Sequence, residues 1–150
     1  MKKVFLEIAE NVPIARGIYK MRLEGDCSAV AAPGQFINIA LDGFFLRRPL
    51  SVCDWAEGWI TVIYKLVGGG TERMSGMVSG GRLDVLTGLG NGYDMSKSGG
   101  RPLLVGGGAG VPPMYGLAKR LAASGARPLA VLGFNTADEA FLVAGEFEAA

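Results

Sequence analysis

The chain has 150 residues, 49% of them apolar and 19% charged, which suits one ordinary domain or two small ones and argues against disorder. Fifteen Lys plus Arg against 14 Asp plus Glu leave a net charge of +1, so there is no electrostatic case for nucleic acid or a membrane surface as the main partner. The sequence holds no histidine and two distant cysteines, Cys27 and Cys53. That excludes zinc sites of the usual kind, imidazole acid–base work and Ser–His or Cys–His nucleophiles. The chemistry is expected to lie in a cofactor.

The opening "MKKVFLEIAENVPI" puts Glu7 and Glu10 where a leader peptide needs an apolar run, so it reads as a strand. No stretch of about 18 apolar residues follows, and a cytoplasmic location is expected. Strands are expected at Lys3–Ala9, Ile18–Leu23, Gln35–Ala40, Leu50–Trp55, Trp59–Leu66 and Arg82–Leu86, because apolar and polar residues alternate there between Gly, Pro and Asp. Regular short strands of this kind suggest an antiparallel barrel or sandwich. A helix is expected to interrupt them from about Thr71.

Two motifs lie within these strands. "LRRPLSVCDW", residues 46–55, starts a strand with two arginines and a proline. Pro49 fits only a strand start or an edge. Arg48 can offer a fork of donors to a diphosphate and Ser51 a hydroxyl to a ring nitrogen or carbonyl; a solvated arginine pair before a core strand is the alternative. "VIYK" leads into "VGGGTERM", where glycines before a helix suit a phosphate. The bland reading is a Gly-rich turn with Thr71 as the helix N-cap. No GK[ST] order is present, so this is not a Walker A loop. "TGLGNGY" at 87–93 is either a tight turn or a loop whose Tyr93 packs beside a flat ring.

After "SKSGGRP" the pattern changes. "PLLVGGG" and "RPLAVLGF" are continuous apolar runs typical of buried parallel strands. Between them lies "AGVPPMYGLAKRLAASG", a helix with Pro in its first turn and Gly125 as its stop. Together they make a β-α-β unit. Its "VGGGAGVPP" turn carries Gly106, Gly108 and Gly110, and Pro112 where a dinucleotide fingerprint closes on glycine, so the match to that fingerprint is partial. Met114 and Tyr115 are expected to be core contacts, and Trp55, Trp59, Phe36 and Phe44 strand residues of core or surface.

The order of these pieces resembles the ferredoxin reductase superfamily. Within it, "RRPLSVCDW", "VIYKLVGGGTERM", "GLGNGYD" and "VGGGAGVPPMYGLAKRL" are most similar to the electron-transfer subunits of dihydroorotate dehydrogenase B, over residues 1 to about 147. The resemblance implies an antiparallel Greek-key flavin barrel, residues 1–98, followed by an incomplete parallel α/β nicotinamide-binding domain, residues 99–150. It implies FAD contacts at Arg48, Pro49, Leu50 and Ser51, at Ile63, Tyr64 and Lys65, and at Gly70 and Thr71. The nicotinamide-binding turn maps to Gly106, Gly108, Gly110 and Pro112. It also implies transfer of electrons from dihydroorotate oxidation on an FMN catalytic subunit, in a heterotetramer, through a [2Fe–2S] centre and FAD to NAD+, in pyrimidine biosynthesis. The ligands of that centre are absent here, since four close thiolates are needed, and the chain is expected to be a fragment of a longer subunit. Cys53 is expected to be a buried strand residue and Cys27 a loop thiol.

Neighbours in an extended segment point to opposite faces. Arg48 is therefore expected to face the flavin, and Arg47 the solvent, the nicotinamide side or a partner subunit. A ferredoxin:NADP+ or sulfide dehydrogenase-type reductase subunit is the alternative function. A non-catalytic flavin-binding fragment is a third. Asp138 and Glu139 are too weakly placed to assign as readers of the nicotinamide ribose.

Overall fold

The computed structural model describes residues 1–143 and residue 147. Six antiparallel strands close a barrel: β1 (Lys2–Ala15), β2 (Ile18–Glu24), β3 (Phe36–Ile39), β4 (Arg48–Ala56), β5 (Trp59–Lys65) and β6 (Arg82–Leu89), in the spatial order β1-β2-β5-β4-β3-β6. Alternate residues fill the interior, among them Leu6, Ile8, Met21, Leu23, Ile37, Ile39, Val52, Ile60, Val62 and Val85, all essentially inaccessible. Closure leaves the barrel with few open edges.

The strand β1 runs six residues beyond its expected end. Its first part pairs with β6 and its later part with β2, with register shifts between Ile8 and Glu10 and between Pro13 and Ala15. The polar "ENVP" run hid that continuation. Pro13 is tolerated because this end of β1 has β2 on one side alone.

Helix α1 (Gly69–Ser75) starts two residues before Thr71. The alternative reading of Thr71 as its N-cap is corrected. Gly68 is the N-cap residue, and Thr71 sits in the first turn with its Oγ1 accepting from the amides of Val67 (2.9 Å) and Gly68 (3.3 Å). The same hydroxyl donates to the Gly68 carbonyl at 2.9 Å. It shapes the glycine turn from inside rather than capping from before it.

The second unit is β7 (Leu103–Gly107), α2 (Val111–Ala123) and β8 (Leu129–Gly133), with β7 and β8 parallel from Leu103↔Leu129 to Gly107↔Gly133. Leu104 packs under Leu117 and Leu121 of α2. Leu103, Val105, Leu129 and Val131 face the other way and are more than half exposed. Gly125, at φ +90°, ends α2 by letting its amide return to the Ala122 carbonyl.

Helix α2 is fastened to β4. A Cβ on Gly116 would come within 2.4 Å of the Cys53 carbonyl oxygen, so helix and strand touch backbone to backbone. Beside that contact Asp54, buried, receives Lys119 Nζ at 2.6 Å and Arg120 Nη1 at 3.1 Å. Arg120 also donates to the Trp55 carbonyl at 2.9 Å and lies 3.3 Å from the Trp55 ring centre. Among the described residues no helix is long and apolar enough to cross a membrane.

Candidate functional site

The "RRPLS" and "VIYK" segments meet at a defect in the barrel. Strand β4 pairs with β3 from Arg48 through Ser51, but with β5 only from Val52 onward. Strand β5 pairs with β2 as far as Lys65, but with β4 only as far as Val62. The two strands diverge there. Residues 48–51 and 63–65 border one gap, with no β4–β5 ladder pairing across it. Backbone donors and acceptors along such a border need partners from elsewhere.

At one end of the gap Arg48 lies against α1. A Cβ on residue 70 would fall 2.0 Å from Arg48 Nε, so the glycine makes room for the guanidinium. The guanidinium stacks 4.8 Å from the Phe44 ring centre and donates to the Leu46 carbonyl. The amides of the first turn of α1 lack intrahelical partners by construction. A fork of cationic donors and a row of amides therefore converge where an anion would be held.

At the other end is a cleft of about 160 Å³ between the barrel and the β-α-β unit, lined by Ile63, Lys65, Gly108, Pro112, Phe134 and Glu139 among others. Tyr64 also borders it, but its side chain points the other way. Ile63 packs in the cluster against the second unit, whereas Tyr64 belongs to the barrel core. The Tyr64 hydroxyl donates to Asn11 Oδ1 at 2.9 Å, and Asn11 Nδ2 donates to the carbonyls of Met74 and Met77 at 2.9 Å each. Burial pushes the Tyr64 hydroxyl up to about 12. Its ring stacks on Tyr19 at 5.8 Å.

The structure thus brings Arg48, Pro49, Leu50, Ser51, Ile63, Lys65, Gly70 and Thr71 around one gap, with Gly108 and Pro112 across the cleft. Gly106 lies deeper. A Cβ there would come within 3.0 Å of the Gly110 carbonyl oxygen and of Met114 Cγ, so it serves close packing of β7 on α2. Gly108 adopts φ +49°. Gly110 precedes α2 and has open space around it. Pro112 and Pro113 occupy the first turn of α2, which removes two of the four amides that a helix start usually offers. Any nucleotide phosphate here relies on the glycine backbone before the helix.

One expectation changes, and two residues gain definition. Arg47 does not face solvent: its Nη2 meets Asp84 Oδ1 at 2.9 Å and its Nη1 donates to the carbonyls of Asp84 (3.1 Å) and Asn38 (3.3 Å). It ties the loop before β4 across β3 and β6. Tyr93 rests on Gly34, where a Cβ would meet its ring at 2.6 Å, and its amide bonds the Pro33 carbonyl. Its loop is thereby closed by the chain itself. Cys27 lies in a loop as expected but is buried, and desolvation pushes its thiol up to about 11. Among the described residues no group of three or more His, Cys, Asp or Glu could hold a metal.

Sequence reasoning missed Asp54, Lys119 and Arg120, and left unassigned Glu139, which binds Lys65 Nζ with both carboxylate oxygens at 2.8 Å. An acidic residue inside the apolar run "PLSVCDW" was the one available signal for the first group.

No family model matches the chain. Two curated proteins similar to it carry the name dihydroorotate dehydrogenase B (NAD(+)), electron transfer subunit. That of Fusobacterium nucleatum is 44% identical over 143 residues, 89% of this chain and 55% of the relative. That of Bacillus velezensis is 43% identical over 149 residues, 94% of this chain and 58% of the relative. The chain spans a little over half the length of these relatives. A solved NADH-dependent reduced ferredoxin–NADP oxidoreductase, described in connection with flavin-based electron bifurcation, superposes with a TM-score of 0.86 at 34% identity. That match covers 97% of this chain and 54% of that one. By sequence over about nine-tenths of its length the chain is homologous to dihydroorotate dehydrogenase B electron-transfer subunits, and over nearly all of it the chain has the ferredoxin reductase-like fold of a flavin-binding barrel followed by part of a nucleotide-binding domain.

Proposed function

We propose that residues 1–98 bind FAD in the gap between β4 and β5, and that residues 99–150 form part of an NAD-binding domain facing it. The observation that supports this reading is the divergence of β4 from β5 after Val52↔Val62, which frees the backbone of 48–51 and 63–65 beside Arg48 and Gly70. Arg48 and the amides of Gly70 and Thr71 hold the diphosphate. Ser51 and the backbone of Ile63, Tyr64 and Lys65 orient the ring. The cleft, at about 160 Å³, is below the ~300–1,000 Å³ of pockets that enclose a whole drug-sized ligand. It seats a ring, and the rest of the cofactor lies along the gap.

Bound FAD supplies the two-electron and one-electron chemistry that the side chains lack. The chain's own contribution is to bind and orient, and to align Gly106, Gly108, Gly110 and Pro112 across the cleft for the nicotinamide. In this reading it is part of an electron-transfer subunit of an oxidoreductase. In that reading dihydroorotate would be oxidised on an FMN catalytic subunit, and FAD held by Arg48, Ser51 and the backbone of residues 63–65 would relay the electrons, received by way of a [2Fe–2S] centre, to NAD+ in UMP biosynthesis. The centre's four thiolates are not available from Cys27 and Cys53, which sit in different buried clusters.

A second reading, a ferredoxin:NADP+ reductase-type subunit, is favoured by the 34% identity to the NADH-dependent reduced ferredoxin–NADP oxidoreductase. Purification with FAD, followed by anaerobic addition of NADH, tests the shared core. A yellow protein bleached by NADH is expected, and a colourless protein that ignores FAD overturns it. Electron delivery to this chain from a purified dihydroorotate dehydrogenase catalytic subunit, rather than from reduced ferredoxin, separates the two readings.

A further inference from the structure

Of the residues that line the cleft, Lys65 and Glu139 are the charged pair. Lys65 ends β5. Glu139 comes from a 3₁₀ turn, Ala137–Glu139, beyond β8. Their contact is bidentate, with both oxygens at 2.8 Å, and the side chains are 34% and 22% exposed. Partial removal from water makes each charge act more strongly on its surroundings than at an open surface.

The turn that carries Glu139 is held in place independently of Lys65. The Arg16 amide donates to the Asp138 carbonyl at 2.9 Å, and the Arg16 guanidinium pairs with the Asp138 carboxylate at 2.9 Å. Phe134 and Phe141, on either side of the turn, meet edge to face with centres 5.2 Å apart, and Phe141 packs with Ile18 and Ile63. Glu139 is thus presented to Lys65 by a fixed support. A fixed carboxylate in a cleft that needs no ion pair for its packing calls for an electrostatic account.

We infer that Glu139 neutralises Lys65 at the ring-binding cleft and thereby keeps the reduction potential of the bound flavin low. The inference rests on the flavin reading of the cleft. Reduction adds negative charge to a flavin. An unopposed Lys65 stabilises that charge and raises the potential, and a Lys65 matched by Glu139 does so far less. With both charges present the lining sums to zero, and without Glu139 it carries +1. A low potential suits a flavin that must pass hydride on to a nicotinamide. Glu139 is therefore a charge-compensating residue.

The test measures FAD affinity by titration and the flavin midpoint potential by dye equilibration in the 150-residue chain, in E139Q, in K65Q and in the double variant. E139Q is expected to stabilise the reduced flavin at least tenfold, about 30 mV for a two-electron couple, with FAD affinity within about threefold of the parent. K65Q is expected to shift the potential downward, and the double variant to return close to the parent. A pair that only staples the two units together moves both single variants in the same direction, and that result overturns the inference. An unchanged potential in E139Q overturns it as well. If E139Q does not fold, K65Q decides alone, a fall supporting the inference and a rise or no change overturning it. Failure of the parent chain to bind FAD at all overturns the flavin reading of the cleft, and the inference with it.

Discussion

Arg48 lies across Gly70, so close that a methyl group on residue 70 would fall 2.0 Å from Arg48 Nε. Two motifs 22 positions apart in the sequence are one feature in the fold. The strand start supplies the guanidinium, and the glycine turn supplies the space for it.

Arg48→Ala is expected to weaken FAD binding by about 1.5–3 kcal/mol, the range for hydrogen bonds to a charged group. Gly70→Ala displaces the same guanidinium and is expected to weaken FAD by about tenfold. The two changes together should cost little more than Arg48→Ala alone, because they remove one interaction. Calorimetric titration with FAD and with riboflavin checks this. Riboflavin has no diphosphate and should be nearly unaffected.

Arg47→Ala is expected to act on stability first, by about 1 kcal/mol once its partial exposure is allowed for. Urea denaturation without cofactor measures it. Burial raises the Asp84 carboxyl, but hydrogen bonds from Arg47 and Lys3 outweigh that and leave it below the ordinary carboxylate value. A depressed carboxylate adds stability above its unfolded-state pKa and loses it as pH falls through the folded-state value. The parent should therefore lose more stability than Arg47→Ala on acidification below about pH 4, and equal acid sensitivity would show that Arg47 does not hold Asp84.

Asp54→Ala leaves Lys119 and Arg120 facing each other against β4 with no anion between them. It is expected to destabilise the docking of α2 by about 2 kcal/mol, less than for a fully buried pair because Lys119 is half-exposed. Hydrogen exchange should quicken in α2, β7 and β8 while the barrel strands stay protected. Uniform loss of protection would instead mean that barrel and β-α-β unit unfold as one.

Tyr64 is an acid whose folded-state pKa, about 12, stands above its ordinary value of 10 because burial disfavours the phenolate. Its contribution is complete below about pH 10 and is lost as pH rises through the folded value. Tyr64→Phe should cost about 1 kcal/mol at neutral pH through the lost bond to Asn11. It should also flatten the decline in stability between about pH 10 and pH 12. Alkaline unfolding curves of the two proteins, followed by far-ultraviolet circular dichroism, decide this.

The sequence by itself determined the class of fold and the order of its parts. Alternation marks barrel strands because one face is buried, and continuous apolar runs mark parallel ones; both signals are local. The expectation of burial on both faces of the parallel strands is corrected here, since Leu103, Val105, Leu129 and Val131 are more than half exposed. Glycines and prolines located the turns because backbone freedom is also local. Tertiary structure alone decided what the charged residues do. Asp84 reaches Arg47 across 37 positions, Asp54 reaches Arg120 across 66, and Glu139 reaches Lys65 across 74. No periodicity encodes such pairs, since each depends on which strands close the barrel and where α2 lands. The gap between β4 and β5 belongs to the same class. Each strand reads as continuous in sequence, and only the closure of the barrel shows that their shared ladder stops at Val52 and Val62, because pairing is a property of two strands and not of either one.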